Sequence, residues 1–144
     1  MKKIVTLIIL IATISINGQG QAKQKKLSDL VGVWEFTGEQ NAGAYLEIID
    51  STNIILSYNG EKKKILDYKI DFQKSPIWFD FSTSDTSSIV NIKSLLEITS
   101  DSMLKWQLFV DEDRTPFFSS TKGELVYLRK AKQSITTTAV ASNH

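Results

Sequence analysis

Apolar and polar residues alternate with a period of two along most of the chain, a pattern typical of β-strands with one buried face. The clearest example is the segment Glu61–Phe72, in which Leu66, Tyr68, Ile70 and Phe72 alternate with charged residues. We therefore expect these apolar side chains to share the buried face of one strand. No internal segment has the sustained period of about 3.6 residues that predicts a helix of several turns.

Turn-forming residues divide the chain into eight such segments. The predicted strands are Gly32–Gly38, Ala44–Asp50, Thr52–Tyr58, Glu61–Phe72, Ile77–Thr83, Ile89–Thr99, Ser102–Val110 and Lys122–Lys130. Asn59-Gly60 predicts a tight hairpin, because a type I′ turn needs positive φ at both central positions. Short strands at hairpin spacing, without crossover helices, favour an all-β fold: an eight-stranded antiparallel up-and-down barrel, with a two-sheet β-sandwich as the alternative.

The N-terminal residues 1–22 have the composition of a signal peptide. Lys2 and Lys3 precede the apolar run Ile4–Ile16, which is shorter than the roughly 20 residues that span a bilayer. Small residues predict cleavage after Ala22, with cleavage after Gly18 as the alternative. The sequence contains no Cys, which excludes a lipoprotein anchor. We expect a secreted or periplasmic protein that has no membrane span after cleavage.

The remaining chain divides into three parts. Residues 23–31 form a polar leader in which Ser28 is the predicted N-cap of one short helical turn. Residues 32–131 form the barrel domain. Residues 132–144 are polar and have no periodicity, which predicts a disordered tail.

The motif Gly32-Val33-Trp34 follows the helical turn and begins the first strand, and a Gly-x-Trp motif in this position resembles the lipocalin signature. The compact lipocalin-like domains of exported bacterial proteins are the most similar group, since the chain is short and has no C-terminal helix pattern. The resemblance implies that Trp34 closes one end of the barrel. It also implies that Arg129, near the end of the last strand, covers Trp34 through a cation–π contact.

An eight-stranded barrel has an interior that side chains just fill or that holds one small ligand. The aromatic residues predicted to face this interior are Tyr68, Phe79, Phe81 and Trp106, with Phe36 deeper. They either line a ligand cavity or pack against one another as a filled core. Tyr45, Tyr58 and Trp78 fall on the opposite face by alternation, where they are candidate contacts for a partner.

The longest connection, Asp111–Thr121, contains Phe117 and Phe118, which predict a lid over the barrel mouth or a satellite core under the loop. The preceding run Asp111-Glu112-Asp113 lacks the ligand spacing and central Gly of an EF-hand loop, so no metal is expected. The run Lys62-Lys63-Lys64 is interpreted as a solvated hairpin arm or a guard of a strand edge.

Charge and reactive residues exclude several functional classes. Removal of residues 1–22 takes away two lysines and changes the net charge from +1 to −1, so nucleic acid is not an expected partner. The fold has no Cys, and the single histidine is the terminal His144, which leaves no nucleophile–His pair or zinc site. No carboxylate pair is singled out among Glu35, Glu47, Asp67 and Asp80. We predict a protein that is not an enzyme and uses no cofactor.

Two functional hypotheses remain. The first is non-covalent binding of a small hydrophobic ligand by the candidate cavity and mouth residues Tyr68, Phe79, Phe81, Trp106, Phe117 and Phe118. The second is a filled barrel that serves as an envelope structural or protein-interaction module, with an apolar patch on its outer surface. Neither hypothesis specifies an oligomeric state.

Overall fold

The computed structural model describes residues 22–132, which form two short 3₁₀ helices and eight β-strands. The helices are Leu27–Asp29 and Glu39–Asn41. The strands are β1 (Gly32–Phe36), β2 (Tyr45–Ile48), β3 (Ile54–Tyr58), β4 (Glu61–Asp71), β5 (Ile77–Asp85), β6 (Ser88–Ser100), β7 (Met103–Val110) and β8 (Glu124–Lys130). The predicted signal peptide and tail lie almost entirely outside the described residues. None of the helices in residues 22–132 has the length and apolar character needed to cross a bilayer.

The strands form a closed antiparallel barrel in which each strand pairs with the next along the chain. Closure comes from β1 and β8, where Trp34 lies opposite Lys130 and Phe36 lies opposite Leu128. The predicted up-and-down barrel is therefore confirmed, and the two-sheet alternative is wrong because one continuous sheet closes on itself. The Asn59-Gly60 hairpin is also confirmed, with φ of 51° and 78° at its two central residues.

All eight predicted strands are present, with ends that differ by a few residues. The largest extension is in β5, which continues beyond the predicted end at Thr83 to Asp85. Polar residues there obscure the strand pattern, although alternation between the two faces continues. By contrast, β8 is shorter than predicted. It begins at Glu124 and not at Lys122, because the preceding residues belong to the long connection.

A β-bulge in β4 corrects the predicted inward face. The pairing of β4 with β5 shifts register between Ile65 and Asp67, so the side-chain alternation changes phase. Ile65 is consequently buried, whereas Leu66 is 55% exposed. Tyr68, Ile70 and Phe72 still pack against the core, so the error is confined to Leu66.

The chain direction gives the barrel two different ends. We call the floor the end where β1 begins, next to the helix Leu27–Asp29. We call the mouth the opposite end, which has the Asn59-Gly60 hairpin and the connection between β7 and β8.

The predicted N-cap at Ser28 is wrong, because Lys26 occupies the cap position of the helix Leu27–Asp29. The Asp29 carboxylate instead accepts a hydrogen bond of 3.0 Å from the Lys26 backbone N–H. This bond lowers the pKa of Asp29.

Candidate ligand-binding site

The floor of the barrel is closed by Trp34, which is 1% exposed and lies beneath the N-terminal helical turn. Its indole Nε1–H donates a hydrogen bond of 2.7 Å to the carbonyl of Leu30, so the buried donor is satisfied. This position agrees with the closing role that the Gly-x-Trp motif implies. Trp34 and the helical turn therefore close this end of the barrel.

The cation over Trp34 is Lys130, with its Nζ 5.1 Å from the ring centroid, and the assignment to Arg129 is wrong. Alternation along β8 explains the difference, because Leu128 is buried and Arg129, one residue on, is exposed on the outer surface. Gly32 makes room for this lysine. A Cβ at Gly32 would lie 3.0 Å from Lys130 Cε, and its φ of +131° is one that L side chains rarely adopt.

The interior aromatic residues fill the middle of the barrel instead of lining a void. Phe79 and Trp106 stack with ring centroids 5.9 Å apart and an interplanar angle of 15°. Phe81 completes the cluster, 5.2 Å from Phe79 and 5.7 Å from Trp106. Tyr68 meets Phe79 edge-on at 6.1 Å and donates its hydroxyl to the carbonyl of Ser51 at the floor. These four predicted ligand contacts therefore form a core cluster.

One buried polar group joins this cluster to the sheet. Ser94 Oγ accepts a hydrogen bond of 2.8 Å from Trp106 Nε1 and donates one to the carbonyl of Phe79. The pairing of β5 with β6 opens at this point, and the Ser94 backbone N–H donates to the Asp80 carboxylate at 3.3 Å. The side chains thus replace the ladder bonds that the opening removes, and the rings are held in a defined orientation.

A cavity of about 430 Å³ opens above the aromatic cluster at the mouth. Its apolar wall comes from Phe36, Leu56, Tyr58, Val90, Ile92 and Leu108. Phe36 links the two regions, because its ring centroid lies 6.3 Å from that of Trp106. The volume lies within the range of roughly 300–1,000 Å³ typical of small-molecule sites. The barrel therefore has a filled lower half and a cup-shaped upper end.

Charged side chains form the rim of this cavity: Glu61, Lys63, Asp85 and Glu124. Lys63 Nζ lies 3.0 Å from Asp85 Oδ1 and 3.5 Å from Glu61 Oε2. The hydrogen bond to Asp85 raises the pKa of Lys63, with a smaller contribution from Glu61. Lys63 is thus part of the mouth, whereas Lys62 and Lys64 are exposed on the hairpin arm as predicted. The alternative of a guard for a strand edge is wrong, because the closed barrel has no free edge.

Within residues 22–132, Thr83 has the one buried side-chain polar atom of the cavity wall that lacks a hydrogen-bond partner. The residue is 6% exposed, and among the described residues its Oγ1 is the one buried side-chain nitrogen or oxygen without a hydrogen bond. A buried polar atom without a partner is unusual in folded proteins. Its position in the cavity wall makes Thr83 a candidate contact for a bound molecule.

The connection between β7 and β8 does not cover the mouth. It folds along the outer surface of the sheet, where Gln107 Nε2 donates to the carbonyls of Ser119 and Lys122, both at 2.7 Å. Phe118 lies under Lys105, whose Nζ is 4.1 Å from the ring centroid, while Phe117 is 70% exposed. The predicted lid is therefore wrong for both phenylalanines, and Phe118 alone is partly buried in an outer contact.

Arg114 anchors the same connection to β5. Its guanidinium carbon lies 3.8 Å from the centroid of the Trp78 ring, and its Nη1 pairs with Asp80. The Arg114 side chain is only 10% exposed, whereas that of Asp80 is 39% exposed, so the guanidinium is the shielded partner of this ion pair. The outer surface of β5, β6 and β7 thus carries a second packed region, which includes the buried residues Leu95 and Phe109.

The acidic residues at the start of the connection are held apart by separate partners. Asp113 pairs with Lys93 at 2.9 Å, which lowers the pKa of Asp113. Glu112 accepts a hydrogen bond of 2.7 Å from the backbone N–H of Gly123. Within residues 22–132 no group of three or more His, Cys, Asp or Glu residues has a geometry that could hold a metal ion.

The remaining predicted surface residues have different environments. Tyr58 faces the mouth cavity, so its assignment to the outer face is wrong. Tyr45 lies below Lys62 Nζ at 5.9 Å, and Trp78 is covered by Lys74 as well as by Arg114. The contiguous outer patch that a protein-interaction module requires is therefore not formed by these aromatics.

The cavity residues that the sequence pattern missed follow from strand parity. Thr83 and Asp85 continue the inward series Ile77, Phe79 and Phe81 along β5. Extending that alternation past the last apolar residue would have identified both of them. Phe36 is the one residue named from the sequence as an interior aromatic that also lines the cavity.

Comparisons with protein-family models, with curated proteins and with solved structures gave no significant match. The predicted resemblance to lipocalins therefore remains a prediction from the Gly32-Val33-Trp34 motif and the strand pattern.

Proposed function

We propose that this protein is a lipocalin-like carrier or receptor for a small molecule with an apolar portion, which it binds without a covalent bond. The observation that supports this is the cavity of about 430 Å³ above a filled aromatic core. The site differs from the predicted one, since the ligand occupies the mouth and not the centre of the barrel. Phe36, Leu56 and Leu108 provide the main apolar contacts.

The hydrophobic effect provides the affinity. Each methylene that moves from water into the cavity contributes about 0.8 kcal/mol, which lowers the dissociation constant about fourfold. The cluster around Trp106 gives the cavity a rigid base, so little ordering accompanies binding.

The test is a fluorescence titration with N-phenyl-1-naphthylamine, a neutral probe whose emission rises in apolar surroundings. We expect saturable binding to the wild-type protein. Val90→Trp should weaken it at least tenfold, because Val90 lines the cavity and the larger side chain fills it. Ile89→Trp is the matched control, since Ile89 is the adjacent residue, 66% exposed on the outer surface.

Two results would contradict the proposal: no saturable binding by the wild-type protein, or equal affinities of the Val90→Trp and Ile89→Trp variants. The circular dichroism spectra of both variants must match the wild-type spectrum for the comparison to be valid. If either contradicting result is obtained, a filled barrel that acts as an envelope or interaction module becomes the favoured hypothesis.

We also propose that the protein is exported and that cleavage follows Ala22. The basic and apolar composition of residues 1–22 supports this. Mass spectrometry of the mature protein from its native source should give an N-terminus at Lys23. An intact Met1 N-terminus in the cytoplasmic fraction would contradict export.

A further inference from the structure

The inner surface of the mouth changes from apolar near the aromatic cluster to charged at the rim, and this order is the same on the adjacent strands β4 and β5. On β5 the inward residues proceed from Phe81 through Thr83 to Asp85, and on β4 they proceed from the buried Ile65 through Lys63 to Glu61. Residues two apart on a strand share a face, so each series forms a continuous stripe. A bound molecule would contact carbon at its inner end and charge at its outer end.

The Thr83 hydroxyl lies where these two environments meet. Thr83 lines the cavity, but its Oγ1 is itself buried and has no hydrogen bond within the described chain. A polar group of a ligand could bond to Oγ1 only after the Thr83 side chain rotates. The charge of the rim above Thr83 therefore decides which polar group the mouth favours.

The sign of the rim charge restricts the polar group further. Among the residues that line the cavity, Glu61, Asp85 and Glu124 are acidic and Lys63 is the one basic residue. Lys63 is paired with both Asp85 and Glu61, so its positive charge is compensated within the rim. The cavity wall therefore has a negative formal charge. It opposes a carboxylate and attracts a cation, more strongly where the low-dielectric wall excludes water.

We propose that the ligand is an amphipathic cation, with an apolar tail against Phe36 and Leu108 and an ammonium group at the level of Thr83 and the acidic rim. The ammonium group is attracted by the carboxylates of Glu61, Asp85 and Glu124. This inference rests on the proposed function, because it specifies the chemistry of the molecule bound at the same site.

The test compares dodecylamine, dodecanol and dodecanoate as competitors of N-phenyl-1-naphthylamine at pH 7, each below its micelle concentration. The three compounds share one tail and differ in head group. We expect dodecylamine to bind about tenfold more tightly than dodecanoate, with dodecanol between them. Raising the salt concentration to about 1 M should reduce the difference, since it shortens the screening length to roughly 3 Å.

Two variants test whether the preference for the amine over the carboxylate comes from the rim residues. Asp85→Asn removes one rim charge at nearly constant volume and should weaken dodecylamine about three- to tenfold, the effect of one charge a few Å away. Its affinity for N-phenyl-1-naphthylamine should change less. Glu124→Lys should remove or reverse the preference for the amine over the acid. Glu97→Lys is the control, because Glu97 is exposed on β6 and does not line the cavity.

The outcomes separate this inference from the proposed function. If dodecanoate binds as tightly as dodecylamine while Val90→Trp blocks both, the site exists and the cation inference is wrong. The same conclusion follows if Glu124→Lys leaves the amine preference unchanged. If none of the amphiphiles nor the neutral probe binds, both the inference and the proposed function are wrong.

Discussion

The buried hydroxyl of Ser94 gives the sharpest test of how this barrel is held together. Ser94 Oγ is hydrogen-bonded to Trp106 Nε1 and to the Phe79 carbonyl, and Ser94, Trp106 and Phe79 are all 0% exposed. Ser94→Ala removes both partners at once and leaves a donor and an acceptor inside the core. Water cannot reach either group without opening the sheet.

The expected magnitude follows from these two groups. A buried donor or acceptor that loses its partner costs about 1–3 kcal/mol, so we expect Ser94→Ala to lower the free energy of unfolding by about 2–4 kcal/mol. That is a large part of the roughly 5–15 kcal/mol by which natural domains are stable. Ser82→Ala is the matched control on β5, where the side chain is half-buried and has no comparable buried network; we expect a change within about 0.5 kcal/mol.

The assay is urea unfolding monitored by circular dichroism, with the free energy compared at constant m value. A double-mutant cycle with Trp106→Phe isolates the indole contact, because phenylalanine has no N–H to satisfy. Ser94→Ala should cost about 1 kcal/mol less in the Trp106→Phe background. A cost below about 0.5 kcal/mol in the wild-type background, or equal costs in both backgrounds, would refute the reasoning.

Three further predictions concern the floor, the outer connection and the response to acid. Gly32→Ala should lower the free energy of unfolding by about 1–3 kcal/mol, measured by urea unfolding, because φ is +131° and Lys130 Cε lies 3.0 Å from the added Cβ. Arg114→Ala should increase hydrogen exchange and proteolysis in residues 111–123, because it removes the contact with Trp78 at 3.8 Å. Hydrogen bonds from Asn53 and Thr52 lower the pKa of Asp50 to about 2, against about 3.9 in the unfolded chain. Its carboxylate therefore stabilises the fold above about pH 4, and this contribution is lost as the pH falls towards 2.

Each of these predictions has a control. Gly43→Ala tests positive φ alone, since φ is +81° there and nothing lies within 4 Å of the added Cβ; an equal cost would show that the Lys130 contact has no effect. Arg129→Ala removes an exposed arginine and should leave exchange in the connection unchanged. Asp50→Asn should flatten the dependence of stability on pH between about 4 and 2, and an NMR titration of Asp50 giving an ordinary pKa would contradict the prediction.

The barrel could be predicted because its evidence is local in sequence. Turn residues and alternation depend on neighbours a few positions apart, and Asn59-Gly60 specifies its turn through the φ values of only two residues. The binding site could not be predicted in the same way. Residues from every strand except β2 line the cavity wall. On β5 the lining residues Thr83 and Asp85 lie beyond the last apolar residue of the strand, where the hydrophobic pattern no longer marks them.

The errors at the floor and the outer connection have a common physical cause. The sequence places Arg129 and Lys130 side by side, and the closure of β8 against β1 places Lys130 opposite Trp34. Similarly, nothing local indicates that the connection turns outward. That direction depends on Gln107 and Arg114, whose partners lie more than ten residues away.

The sequence by itself determined the strands, their order, the hairpin at Asn59-Gly60 and the aromatic residues of the core, because side-chain alternation is a property of each strand alone. Only the tertiary structure decided whether those aromatics enclose a void. Phe79 and Trp106 belong to strands that are not neighbours, and their stacking depends on the closure of the barrel around them. The same closure leaves a cavity at the mouth, where the inward residues of β5 change from Phe79 and Phe81 to Thr83 and Asp85.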